Sequence, residues 1–136
     1  MKNFLGLLIV SSGLLLGSFV PMQESAIAQP ACPNISGRWA RLFDDVIWNF
    51  SQSGCNLQGT FSNYATSHTI SGVFYDDRTA DLIINRTNLS TNCQTEMYAT
   101  LTRLSLTNRI RVNIYATDGK CELPANYNED YGYKSL

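Results

Sequence analysis

The sequence predicts an all-β domain: an eight-stranded antiparallel up-and-down β-barrel, its last strand weak, braced by two disulfides. Three observations carry that expectation. Apolar and polar side chains alternate with period two through most of residues 35–117, the pattern of antiparallel strands buried on one face. Pairs rich in Asp, Asn, Ser and Gly interrupt the alternation at short intervals, as tight hairpins do. Sequential hairpins make a meander, and a twisted meander of this many strands tends to close, because closure removes its exposed edges.

The first strand, about 35–42, opens with Ile35-Ser36-Gly37-Arg38-Trp39 and runs to Asp44-Asp45. The second, about 45–53, alternates Val46, Trp48 and Phe50 against Ile47, Asn49 and Ser51 and ends at Ser53-Gly54. The third, about 56–63, and the fourth, about 69–76, repeat the opening frame as Leu57-Gln58-Gly59-Thr60-Phe61 and Ile70-Ser71-Gly72-Val73-Phe74, with Ser67-His68 between them. An aliphatic, a glycine and an aromatic thus recur on one inward face. Glycine inside a strand marks a bend or the close approach of another group, so the repeat reads as a packing device for a narrow barrel. After Asp76-Asp77 comes a fifth strand, about 79–87. Beyond Asn88–Asn92 lies a sixth, about 94–104, in which Met97, Ala99 and Leu101 share a face. The seventh, about 108–117, follows Thr107-Asn108 and alternates Ile110, Val112, Ile114 and Ala116 against Arg111, Asn113, Tyr115 and Thr117. Asp118-Gly119 ends it. The eighth is placed at 121–127, where Pro124 argues for an edge or irregular ending. The tail from Asn126 to Leu136 reads as a frayed end or a strap for a partner.

Residues 1–28 stand apart from this domain. Lys2, the apolar run from Phe4 to Val20 and the small-residue pattern Ala26-Ile27-Ala28 predict a secretory signal peptide cut after Ala28. The single barrel domain is then 29–136, and the protein is expected to be secreted or periplasmic. That domain keeps all the charged residues but Lys2 and Glu24, so its net charge stays at −1. Without a basic stripe, nucleic acid is not an expected partner. No second apolar span follows the first, so no membrane span is expected.

All four cysteines, Cys32, Cys55, Cys93 and Cys121, lie in the domain. An even count in an exported chain reads as two disulfides, and no short CxxC spacing argues for zinc. In an up-and-down meander the start of the first strand and the second hairpin share one rim, which favours Cys32–Cys55. The start of the sixth strand and the end of the seventh share the other rim, which favours Cys93–Cys121.

The run from Cys32 to Asp77, through "ISGRW", "LQGTF" and "ISGVF", resembles the first four strands of the avidin and streptavidin family. The resemblance covers roughly residues 35–76 and implies a small exported barrel. The family's biotin-holding positions are occupied here by Arg41, Asp45, Phe61 and Asn63, so the resemblance implies the frame without the biotin chemistry. The opening Gly-x-Trp is also similar to that of lipocalins.

Function is expected at one barrel mouth, on the rim that carries Arg41 to Asp45, Asn63 to Thr69, Arg86 to Asn92 and Thr117 to Lys120. Longer polar loops at one end are where binding usually lives. Trp39, Trp48 and Phe61 are candidates for an apolar floor, Arg41 for an anion partner, Tyr64 and His68 for a lid, and Asn63 for a polar contact. Catalysis is not expected. His68 is the single histidine and has no partner motif, no cysteine is left over as a nucleophile, and Asp44-Asp45 and Asp76-Asp77 fall on opposite rims. No metal or cofactor is implied. The expected partner is a small or extended ligand. Two alternatives stay open. One is a protein inhibitor of a hydrolase, similar to small periplasmic metalloprotease inhibitors that open with "LxGxW", with Gln29 to Asn34 as the inhibitory arm. The other is a structural cell-surface module. Self-association into a homo-oligomer is compatible with each.

Overall fold

The computed structural model describes residues 32–104 and 108–136; the expected signal peptide and residues 29–31 of the arm lie outside them. Eight strands follow in chain order: β1 Gly37–Arg41, β2 Ile47–Ser53, β3 Asn56–Ser62, β4 Thr66–Phe74, β5 Thr79–Asn88, β6 Cys93–Leu104, β7 Arg109–Thr117 and β8 Glu129–Ser135. Each pairs antiparallel with the next, and β8 returns to pair with β1, so the sheet is a closed barrel in meander order. This is the fold class read from the sequence. Both expected disulfides are present, Cys32–Cys55 and Cys93–Cys121.

The last strand is not where the sequence reading put it. Residues 121–127 form a connection, and β8 is made by the tail, where Tyr131 and Tyr133 alternate with Asp130, Gly132 and Lys134. Two local features keep 121–127 out of a ladder. Cys121 has φ 59°, a left-handed conformation that ends extended backbone, and Pro124 has no N–H to give. Thr117 holds the connection instead. Its N–H bonds Ala125 O at 3.1 Å, its hydroxyl donates to Pro124 O at 2.9 Å, and the same hydroxyl accepts from Gly119 N at 2.9 Å.

Register turns the inward residues into rungs. Phe61, His68, Arg86 and Thr95 lie side by side across β3 to β6; one step deeper lie Gly59, Ile70, Ile84 and Met97; deeper still Leu57, Gly72, Leu82 and Ala99. The lower barrel is solid with apolar side chains, among them Phe74, Leu101, Ile110 and Val112. Ile35 plugs that end, fully buried, with its N–H on Gln52 Oε1 at 2.9 Å and its carbonyl accepting the Trp39 indole N–H at 2.8 Å.

The three glycines of the repeated frame do different work. A Cβ at Gly59 would stand 2.7 Å from the Phe50 ring, and one at Gly72 would stand 2.4 Å from Leu82 Cδ2 and 2.7 Å from the Asp81 carbonyl oxygen. These two are the expected packing glycines. Gly37 is exposed with open space where a Cβ would be. Its requirement is conformational, φ 121°, which L side chains rarely adopt.

Because Asp81 O belongs to the backbone of β5, the clash at position 72 cannot be relieved by a rotamer change. Gly72→Ala is expected to lower stability by about 1–3 kcal/mol, seen as a lower urea midpoint at unchanged slope. Ser71→Ala, on the exposed face of the same strand, should stay within about 0.5 kcal/mol of the parent.

Candidate functional site

The hairpin β1–β2, the hairpin β3–β4, the hairpin β5–β6 and the long β7–β8 connection gather at the end opposite Ile35. There the barrel is not filled. A cavity of about 260 Å³ opens at this mouth. Alternation in every strand brings one or two side chains to its wall. Arg41, Trp48, Phe61, His68, Arg86 and Tyr131 give the polar and aromatic part, while Ile84, Met97 and Ile114 give the apolar part. Leu123 and Tyr127 reach over it from the β7–β8 connection, which Cys93–Cys121 and a bond from Thr95 Oγ1 to Lys120 O at 3.2 Å hold in place.

The charged groups are not alike. Arg41 is engaged: its guanidinium forms a forked ion pair with Asp44, Nη2 to Oδ2 at 2.6 Å, and lies 4.4 Å above the Tyr131 ring. That hydrogen bonding holds the Asp44 carboxyl below its ordinary range. Arg86 is less well matched. Its side chain is 17% exposed, its Nη2 stands 4.0 Å from Glu122, and its Nη1 is buried without a hydrogen-bond partner. His68 stands directly opposite Arg86 across β4 and β5 and stacks on Phe61, centroids 5.0 Å apart. Burial, and then the charges of Arg86 and Arg41, push its pKa down to about 4, so the ring is neutral at pH 7. Its Nδ1 is buried without a partner.

Trp48 completes this set. Its indole N–H is buried and unpartnered, and its ring packs on Tyr133 at 5.0 Å. The Tyr133 hydroxyl beneath makes no hydrogen bond of ordinary geometry, and burial raises its pKa above the usual phenol range. Among the described residues no carboxylate lines the cavity, and no three His, Cys, Asp or Glu side chains come together as a metal site would need. No described helix is long and apolar enough to cross a membrane.

Of the seven residues singled out from the sequence, five reach this wall: Arg41, Trp48, Phe61, Asn63 and His68. The Asn63 side chain is spent on its own turn, accepting from the N–H groups of Ala65 and Thr66 at 2.8 Å each. Trp39 lies outside the cavity, its indole turned toward Ile35. Tyr64 stands at the tip of the β3–β4 turn, 98% exposed, and lines only the shallow outer groove beside that hairpin. The lining residues not singled out include Arg86, Tyr131, Leu123 and Tyr127. Arg86 had a signal: Ala80, Leu82 and Ile84 alternate inward, and the next inward position is Arg86. Tyr131 had none while the tail was read as a frayed end or a strap.

No protein-family model, curated protein or solved structure matches the chain.

His68 offers a direct reading of this environment, because it is the single histidine. Its ring protons in an NMR titration are expected to move with a midpoint of about 4 rather than 6.5. The folded pKa lies below the unfolded one. Between the two the unfolded chain binds a proton that the folded chain does not, so stability rises with pH through that window and is lost as pH falls from 6.5 toward 4. His68→Phe should remove this part of the pH dependence, read from urea midpoints at pH 7 and pH 5.

Proposed function

We propose that the protein is an exported, non-catalytic β-barrel module that holds a small ligand in the cavity at its open mouth. The observation that carries this reading is the contrast within one barrel. The lower interior is close-packed, while the upper interior is left open beneath N–H groups of Trp48 and Arg86 that have no partner. Buried donors without acceptors are costly, roughly 1–3 kcal/mol each, and a barrel built only for shape would fill this space with apolar side chains. Ligand sites combine apolar walls with a few convergent polar groups, and this mouth has both. Export is supported by the signal-peptide pattern of residues 1–28 and by two disulfides, which persist in oxidising compartments. The avidin-like frame of the first four strands supports the same use of the fold, with a different ligand.

Native mass spectrometry of the protein purified from its own host is expected to show a non-covalent adduct that is lost on denaturation. In Trp39→Phe, which leaves Trp48 as the single tryptophan, emission should change when that compound is added back. Absence of an adduct, together with no Trp48 response across a library of small fragments, would overturn the reading.

A further inference from the structure

We infer that the ligand of this mouth is a small organic anion, a carboxylate on a flat apolar body, with its head on Arg86 and His68 and its body on Ile84 and Met97. The inference rests on the reading of the cavity as a ligand site and names what it takes.

Four observations lead there. The first is charge. Among the described residues the wall carries two arginines and no acid; Asp44 answers Arg41, while Arg86 has Glu122 at 4.0 Å, outside the cavity. A cationic ligand would meet like charge with nothing to offset it. The second is the hydrogen-bond inventory. Arg86 Nη1 and Trp48 Nε1 are donors only, both are buried and unpartnered, and His68 Nδ1 can carry the proton of a neutral ring. The surplus of donors asks for acceptors, and a carboxylate is acceptor-only and matches the planar fork of a guanidinium.

The third observation is order in depth. His68 and Arg86 share the rung at the mouth, and Ile70, Ile84 and Met97 form the rung below. An anion seated on the upper rung therefore extends its remaining atoms onto apolar surface, with Phe61 stacked beside His68 as one flank. A fully hydrated inorganic anion would leave that lower surface uncovered. The fourth is size. About 260 Å³ lies just under the range of roughly 300–1,000 Å³ common for ligand pockets, which suits a body of about one ring.

Benzoate, benzamide and benzylamine share one ring and differ in charge, so they test this with the full exported chain at pH 7 by calorimetry and Trp48 emission. Benzoate should bind about tenfold or more tightly than benzamide, the size of one charge-assisted hydrogen bond, and benzylamine should not bind. Arg86→Gln should weaken benzoate about tenfold and benzamide, whose neutral carbonyl accepts a weaker hydrogen bond, by a smaller factor. His68→Phe keeps a ring on Phe61 and should weaken benzoate severalfold; it carries the test if the first variant does not fold. Benzamide or benzylamine binding as tightly as benzoate would overturn the anion while leaving the binding module standing. Benzoate affinity unmoved in both variants would overturn the assignment to Arg86 and His68. No response to any of the three compounds would overturn this inference, while the ligand-site reading falls only if the native adduct and the fragment-library response are absent as well.

Discussion

Everything in this molecule depends on the pairing of β8 with both of its neighbours. Six residue pairs join it to β7, but only three, Trp39 with Ser135, Ala40 with Lys134 and Arg41 with Tyr133, join it to β1. Two backbone bonds outside that short ladder extend it, from Leu42 N to Gly132 O at 2.8 Å and from Leu136 N to Arg38 O at 3.0 Å. Without this seam β1 and β7 would be open edges, with unpaired backbone groups available to other chains. Closure also places Tyr133 against Trp48 and Tyr131 beneath Arg41. The seam that removes the edges therefore also builds one wall of the mouth.

The two disulfides act on opposite ends and to different effect. Cys32–Cys55 ties the segment before β1 to the β2–β3 turn, where Gln52 bonds both Pro33 O and Gly54 O. That cross-link keeps Ile35 seated as the plug of the filled end. Cys93–Cys121 ties the start of β6 to the β7–β8 connection and so presents Leu123 and Tyr127 to the cavity. With sequence separations of 23 and 28, each closes a loop worth roughly 2–4 kcal/mol. One bridge stabilises packing, and the other fixes the outline of an opening.

Much of this was legible in the sequence because period-two alternation and turn chemistry are local signals. Trp48, Phe50, Leu57, Ile70, Leu82, Met97, Ala99, Ile110 and Val112 all face inward, as their alternation says. The disulfide pairing followed from meander topology alone. The tail failed for a physical reason. Glu129 to Ser135 has charged or small residues at each outward position and only two tyrosines inward, so it becomes a strand only when β1 and β7 already stand on either side. The candidate site was legible in part for the same reason. Position on an inward face can be counted, so Trp48 and Phe61 were found; His68, read from the sequence as a turn residue of a lid, lies instead within β4, stacked on Phe61. Which arginine is the more closely paired cannot be counted, because it turns on Asp44 folding back on Arg41 across three residues, while Glu122 stands 4.0 Å from Arg86.

That last distinction decides the chemistry of the mouth. An arginine at a barrel rim ordinarily reaches water or an acid, and Arg41 does the second. Arg86 does so only loosely: Glu122 stands 4.0 Å from its Nη2, His68 beside it carries no negative charge to balance it, and Thr95 on its other flank gives its hydroxyl proton to Lys120 O. A partly buried guanidinium whose acid stands 4.0 Å away is less well compensated for its desolvation than a closely paired one. Burial, and then the charges of Arg86 and Arg41, lower the His68 pKa, so desolvation disfavours charge on both side chains of this rung. On the proposed reading an anion seated on this rung gives Arg86 a closer partner and makes a charged His68 less unfavourable. On the proposed reading, a small anion supplies the acceptor that the buried donors Trp48 Nε1 and Arg86 Nη1 lack.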